Sequence, residues 1–569
     1  MQKIWDLRSL PDEQKSAELA ELLHVPPVIG KILFLRNVRS YQEARVFFRP
    51  TLEDLHDPFL MSGMETATMR IIDAITSKEK ILVYGDYDVD GTCSTSLLYL
   101  FFKRMDANVD YYIPNRLKEG YGVSISGIDY AVSTGASLLI TVDCGITAVE
   151  ETAYANSKGL QVIICDHHQP KEVLPDALAV LDPLKPGCEY PFKYLSGAGV
   201  AFKLVQGICK RIGKKEYPME YLDLVALAGA ADIVPLVDEN RILVKEGLAQ
   251  INNSPRPGIR ALIENARLEP GKMTSGQVVF TIAPRINAVG RMSDAKTAVE
   301  LLITEDNAKA RELASILEEE NRQRRKIDED TLTRAVNMLD SEYGDNIPDT
   351  LVLHNNEWHP GVIGIVASRL VEKYYKPTIM LTTIDGVAKG SARSISKFNI
   401  YEALKECEDL LLHFGGHEAA AGLAVELDKV DEFRKKFNDI VSGKLNGSDT
   451  SPTIDVDAKI SFEDLTPKFM RLIEQFAPFG PANMRPTFWL ENVTVKDNPR
   501  LIKEKHLIMT VAQKGTDKVF DAVGFNMPEY YRRIFKGERV FDLAFTIDIA
   551  SNYSRSFAQL KIKDIRFPG

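Results

Sequence analysis

The chain has 569 residues, room for about four average domains. Apolar residues make up 45% and charged residues 26%, a balance that excludes disordered, collagenous and fibrous classes. The net charge of −10 excludes a uniformly basic nucleic-acid-binding surface. The charge is uneven, however: residues 455–569 hold 18 Lys and Arg against 15 Asp and Glu, which marks a separate unit.

No run of 18 apolar residues occurs, so no membrane-spanning helix is expected. The start, MQKIWDLRSLPDEQ, lacks an apolar signal core, so the expectation is a cytoplasmic protein. Cys93, Cys144, Cys165, Cys188, Cys209 and Cys407 form no CxxC pair and read as reduced thiols.

Residues 1–60 form a helix-leaning N-terminal segment. From 61 to 250, short β-branched runs alternate with helical stretches: 81–85, 108–113, 137–143, 160–166 and 178–182. This is the pattern of a mostly parallel sheet covered by helices, with an active site beyond the carboxyl ends of its strands. Residues 251–340 form a connecting helical region. Its stretch 306–339 has no Pro or Gly and reads as one long exposed helix joining two lobes. A second α/β unit covers 341–445. Residues 442–452, SGKLNGSDTSP, read as a polar linker that lets the following unit fold separately. The alternating strands of 455–569 predict a small barrel of the OB type.

The densest chemical signal is GDYDVDGTCS, residues 85–94, where Asp86, Asp88 and Asp90 alternate directly after a buried strand. Carboxylates this close repel one another unless a cation neutralises them. An EF-hand is excluded, because its twelfth position would be Leu97 and a strand precedes the loop. One Asp suffices to cap a helix, so capping alone does not account for three. Asp143 closes the strand 137–143, and Asp166, His167 and His168 close 160–166. Asp232 ends the apolar run LVALAGAAD. In a parallel sheet the strand ends converge. Mixed carboxylate and imidazole ligands suit Mn²⁺ or Mg²⁺, and a pair of such ions clamps an in-line phosphoryl displacement.

DYDVDG, DCG and DHH, with the later GSARS (390–394) and FGGHEAAAG (414–422), resemble the DHH phosphoesterase superfamily. The resemblance spans nearly the whole chain. It is closest to the bacterial single-strand-specific 5′→3′ exonucleases, on the evidence of RINAVGRM (285–292) and the barrel-like tail. It implies two α/β lobes, DHH and DHH-associated, joined by a long helix, plus a C-terminal OB-like barrel. It further implies one ion on Asp90, Asp143, His167 and Asp232, and a second on Asp86 and Asp88 with Asp143 bridging. His168 would stand beside the scissile phosphate. One position departs from the pattern: many members place a His where this chain has Tyr84, and Asp86 is then expected to supply that ligand.

The segment GGHEAAAG fails the HExxH zinc motif at Ala421. Gly415 and Gly416 followed by an Ala-rich helix would instead offer backbone N–H groups to phosphate, with His417 alongside. By resemblance, Arg116, Arg291, Ser391 and Arg393 would grip terminal phosphates, and Tyr121 could stack on a base. Phe479, Phe488, Trp489, Phe525, Tyr530, Tyr531 and Tyr553 mix with basic residues in the tail. Most are expected in the barrel core, and a few could stack bases.

The expected activity is exonucleolytic degradation of single-stranded DNA to 5′-mononucleotides in repair and recombination, by a monomer using two Mn²⁺ (or Mg²⁺) ions. Single-strand-binding protein and a RecQ-type helicase are the protein partners that the resemblance implies, with no membrane. Two rivals are a small-substrate DHH phosphodiesterase, which would lack the OB-like tail, and a non-catalytic replication accessory protein, which would have lost metal ligands.

Overall fold

A computed structural model describes residues 3–568 except 11, 117, 446–450 and 553–554; the side chains of 549–552 and 555–557 are also left undescribed. The first strand, β1 (Ile4–Leu7), is followed by the helices Glu13–Leu22, Pro27–Leu35 and Tyr41–Phe48. Five strands then build the first sheet: β2 (Lys80–Gly85), β3 (Asn108–Tyr112), β4 (Leu138–Val142), β5 (Gln161–Cys165) and β6 (Ala179–Leu181). All pair in parallel, in the order β3-β2-β4-β5-β6. β4 is buried along its whole length, as expected for a sheet covered on both faces. Helices Val89–Arg104, Gly197–Ile212 and Leu222–Ala231 pack on one face in the largest core, and Ile125–Ser133 covers the other.

The helix Asn307–Tyr343 runs 37 residues, capped at its start by the Asp306 carboxylate. It leads to a second sheet of β7 (Leu351–His354), β8 (Thr378–Ile384), β9 (Val387–Arg393), β10 (Leu411–His417) and β11 (Ala420–Glu426), ordered β10-β11-β9-β8-β7.

β12 (Thr453–Val456) pairs with β1. The C-terminal sheet comprises β13 (Ala458–Lys459), β14 (Thr487–Val495), β15 (Arg500–Ile502), β16 (His506–Gln513), β17 (Val519–Gly524), β18 (Val540–Asn552) and β19 (Arg555–Arg566). The additional β14–β16 pairing closes it into the expected barrel. Among the described residues, no helix is long and apolar enough to cross a membrane.

Two expectations fail. The C-terminal unit is not self-contained. Its core includes Leu19, Ile29, Ile32, Leu33 and Phe47 of the N-terminal helices, packed with Phe469, Phe488 and Phe545. β1 also runs parallel to β12 in the register Ile4↔Thr453 to Leu7↔Val456. The polar linker is shorter than expected, because the helix Val430–Leu445 continues into it. Second, GGHEAAAG contains no helix. Its residues form the antiparallel hairpin β10–β11, with Gly416 opposite Ala421 and Gly415 opposite Gly422. Alanine favours helix locally, but β11 is hydrogen-bonded on both sides, and that pairing overrides propensity.

Candidate metal centre and phosphate cleft

The ends of β2, β4 and β5 deliver acidic and imidazole groups to one crevice. After β2, the chain turns through Asp86 into the helix Val89–Arg104, whose N-cap is Asp88. That position suits a carboxylate, because the helix dipole places positive charge there. Asp90, in the first turn and 1% exposed, accepts hydrogen bonds from the N–H groups of Gly197 (2.6 Å) and Ala198 (2.7 Å), at the start of another helix. Burial, reinforced by Asp88, nevertheless pushes its carboxyl up to about 7.

Asp143 follows β4 with φ 60°, the left-handed region that non-glycine residues rarely adopt. Backbone strain of this kind persists where surrounding structure enforces it. The close approach of Gly197 is part of that enforcement: a Cβ there would lie 2.7 Å from that of Asp143. Asp86, Asp143 and Asp232 are all held well above the usual carboxylate range, burial being the main cause.

The pair after β5 is oriented by Asp166. Its buried carboxylate accepts from Ile146 N–H (2.8 Å), His167 N–H (2.8 Å), His168 N–H (3.2 Å) and His168 Nδ1 (2.7 Å). Burial alone would raise Asp166, but the His168 hydrogen bond and charge prevail and hold it below the usual range. For His168, burial acts downward and Asp166 upward; Asp166 wins and lifts the imidazole to about 9. Burial and the charge of His168 lower His167 to about 4, leaving it neutral at neutral pH, as a ligand must be.

His167 Nε2 lies 3.1 Å from Asp143 Oδ1, 3.6 Å from Asp232 Oδ2 and 3.8 Å from Asp90 Oδ2. Three sets of potential ligand atoms each fall within 4.8 Å: Asp90, His167 and Asp232; Asp86, Asp88 and Asp143; Asp143, His167 and His168. Asp143 belongs to two of them. The buried Asp86 Oδ1 and Asp232 Oδ2 have no hydrogen-bond partner. Unpartnered buried carboxylate oxygens among other carboxylates fit a divalent cation, and an oxygen-rich set with imidazole fits Mn²⁺ or Mg²⁺.

Beside this crevice, a cleft of about 390 Å³ opens between the lobes. Arg116, Arg291, Ser391, Arg393, Gly415 and Gly416 all line it. Arg393 donates to Ser391 Oγ at 2.8 Å, and Arg291 to the Gly361 carbonyl at 3.1 Å. Burial, then the charge of Arg116, lowers both Arg291 (to about 10) and Arg393. Guanidinium groups that repel one another in a shared cleft favour an anion there. Arg116 also stands over the ring of Tyr87, 5.0 Å away, between Asp86 and Asp88. The cleft therefore borders the acidic crevice.

One expected binding residue sits elsewhere. His417, at the end of β10, is outside the cleft lining, and its Nδ1 accepts from Ala419 N–H at 3.3 Å. Tyr121 hydrogen-bonds His168 Nε2 through its hydroxyl at 3.1 Å. In the barrel, Phe488 is buried and Phe525 is 54% exposed, whereas Tyr553 lies outside the described residues. Sequence reasoning missed Lys389, which lines the cleft and shares a β9 face with Ser391 and Arg393 at the strand period of two. It also missed the orienting role of Asp166, and Asn287, whose Oδ1 accepts from Val89 N–H at 3.0 Å.

A parallel sheet whose strand ends gather Asp and a DHH triplet, facing a second lobe across an arginine-lined cleft, defines a DHH-type phosphoesterase. Residues 80–229 match the N-terminal domain of the DHH family, 348–443 the DHHA1 domain and 456–564 the RecJ OB domain. The single-stranded-DNA-specific exonuclease RecJ of Bacillus subtilis is 40% identical, over 98% of this chain and 70% of its own length. RecJ of Dickeya dadantii is 34% identical, over 99% of this chain and all of its own. The crystal structure of Thermus thermophilus RecJ in complex with Mn²⁺ superposes with a TM-score of 0.84 at 30% identity, covering all of this chain and 80% of that one. The chain belongs to the RecJ family.

Proposed function

We propose that this protein is a metal-dependent 5′→3′ exonuclease that degrades single-stranded DNA to 5′-mononucleotides in repair and recombination. The observation that carries the reading is the adjacency of two complementary sites. One is an acidic crevice with unpartnered buried carboxylate oxygens; the other is the arginine cleft beside it. The RecJ relatives named above are single-strand-specific exonucleases, and a RecJ structure holds Mn²⁺.

In this reading Asp90, Asp143, His167 and Asp232 hold one ion, and Asp86, Asp88 and Asp143 the other. When bound, such ions supply Lewis-acid stabilisation of phosphoryl charge and a water acidic enough to attack at neutral pH. His168, with Nδ1 engaged by Asp166 and Nε2 beside the Tyr121 hydroxyl, stands at the crevice, where a cationic imidazole would exchange that hydroxyl for a phosphoryl oxygen. Arg116, Arg291, Ser391 and Arg393 bind the terminal 5′ phosphate, with the hairpin residues Gly415 and Gly416 allowing close approach. That grip on the first phosphate sets the polarity. Burial of all six thiols without disulfides fits a reducing cytoplasm. The family resemblance extends the reading to a monomer that works with single-strand-binding protein and a RecQ-type helicase. It also divides the chain into an N-terminal segment, a DHH unit, a helical connection, a DHH-associated unit and an OB unit.

The test is a time course with Mn²⁺ on single-stranded DNA and blunt duplex, labelled at either end. Mononucleotide label released first from the 5′ end of single strands supports the reading. Release from the 3′ end first, or equal loss of duplex, overturns it.

A further inference from the structure

Tyr84 stands where many members of the superfamily carry a histidine, and no role above accounts for it. It is fully buried near the end of β2, on the sheet face covered by the helix Ile125–Ser133, with Leu82, Ile128 and Leu139. Its ring stacks on Tyr112, 5.4 Å away and inclined by 26°. A Cβ at residue 127 would lie 2.3 Å from that ring, so only glycine leaves it room.

The hydroxyl of Tyr84 works in both directions. It donates to the Gly122 carbonyl at 2.9 Å and accepts from Ser124 N–H at 3.1 Å. Ser124 Oγ accepts from Gly127 N–H (3.0 Å), capping the helix, and donates to Glu119 at 2.6 Å. Glu119 also accepts from the Tyr112 hydroxyl (3.0 Å) and from Asn115 N–H (2.7 Å). One polar network thus fastens both ends of the connection between β3 and the helix Ile125–Ser133. That connection carries Arg116, which lines the phosphate cleft, and Tyr121, which touches His168. Tyr121 is flanked by Gly120 and Gly122, both at positive φ, so the loop has little stiffness of its own.

We propose that Tyr84 is a positioning residue: its hydroxyl, acting through Gly122, Ser124 and Glu119, holds this loop where Arg116 meets the terminal phosphate and Tyr121 meets His168. The inference rests on the nuclease reading above. A phenylalanine would keep the stack on Tyr112 but leave the half-buried Gly122 carbonyl and Ser124 N–H without their partner. A loop released in this way moves two substrate-facing groups at once.

The experiment compares wild type, Tyr84→Phe, Tyr121→Phe and the double variant. It measures kcat and KM on a 5′-phosphorylated oligonucleotide, Mn²⁺ affinity by calorimetry, and melting temperature. The expected result for Tyr84→Phe is a fall in kcat/KM of roughly ten- to a hundredfold, the scale of a misplaced binding group, with Mn²⁺ affinity unchanged. The double variant should lose less than the product of the two single losses, because both changes act on one loop. Wild-type kinetics in Tyr84→Phe, a loss matched by weaker Mn²⁺ binding, or losses that multiply would each overturn the inference. Should Tyr84→Phe fold poorly, Glu119→Gln breaks the same network from the solvent side and is read in the same way. Wild-type protein that leaves the oligonucleotide intact would instead sink the nuclease reading itself.

Discussion

Replacing Arg241 by methionine should loosen the junction between the catalytic lobe and the C-terminal unit. Arg241 lies in the helix Asp238–Asn253 and is 3% exposed. Its guanidinium donates to the carbonyls of Phe476 (2.8 Å), Phe47 (2.9 Å), Ala477 (3.0 Å) and Gln475 (3.3 Å), and it stacks 3.9 Å from the Phe47 ring centroid. One side chain thus ties together three segments far apart in sequence. Three of these bonds are 3.0 Å or shorter, and charged hydrogen bonds contribute about 1.5–3 kcal/mol each, a gross of roughly 5–9 kcal/mol. Against this, burial, with Arg36 nearby, lowers the group to about 10, which corresponds to roughly 3 kcal/mol against the charged form. The net expectation is a loss of about 2–6 kcal/mol, because methionine keeps the packing on Phe47 but leaves the carbonyls unpaired. Thermal unfolding by calorimetry should show the first transition lowered by about 5–15 °C. Turnover of a short oligonucleotide at about 25 °C should persist. A variant that melts with the wild type would refute the reasoning.

Other outcomes follow from the site. Asp143→Ala should cut exonuclease activity by at least about a hundredfold, the low end for losing one preorganised electrostatic element. Without metal it should melt no lower than wild type, since it removes a buried, crowded carboxylate; calorimetry with and without Mn²⁺ checks both halves. The raised carboxyls bind protons more tightly folded than unfolded. Metal-free stability should therefore fall as pH rises from the ordinary carboxylate range through the value near 7 of Asp90. The gain in melting temperature on adding Mn²⁺ should grow across the same window, and a gain independent of pH would contradict the ligand assignment. Arg393→Ala should raise KM for 5′-phosphorylated strands by roughly ten- to a hundredfold with kcat less affected; steady-state kinetics decide. Truncation to residues 1–454 should expose Leu19, Ile32, Leu33 and Phe47, giving aggregation or dye binding to apolar surface; a well-behaved monomer would show that the shared core is dispensable.

The metal crevice was legible because parallel strands announce themselves. Apolar β-branched runs ending in Asp86, Asp143 and Asp166–His168 needed only the rule that strand ends converge. The long helix 307–343 was equally plain from its composition. The hairpin at 411–426 was not, because an Ala-rich tract favours helix until flanking strands claim its hydrogen bonds. The pairing of Ile4–Leu7 with Thr453–Val456 leaves no local trace, since each strand reads the same with or without its partner. Lys389 was within reach through the alternation with Ser391 and Arg393. Asn287 and the Tyr84 network were not, because their partners are backbone groups brought near only by the fold.

The most direct test of the central claim is anomalous diffraction at the manganese edge from crystals of the wild-type protein grown with Mn²⁺. The account predicts two peaks that share the Asp143 carboxylate, one with Asp90, His167 and Asp232, the other with Asp86 and Asp88. A single peak, or peaks away from the ends of β2, β4 and β5, would contradict it.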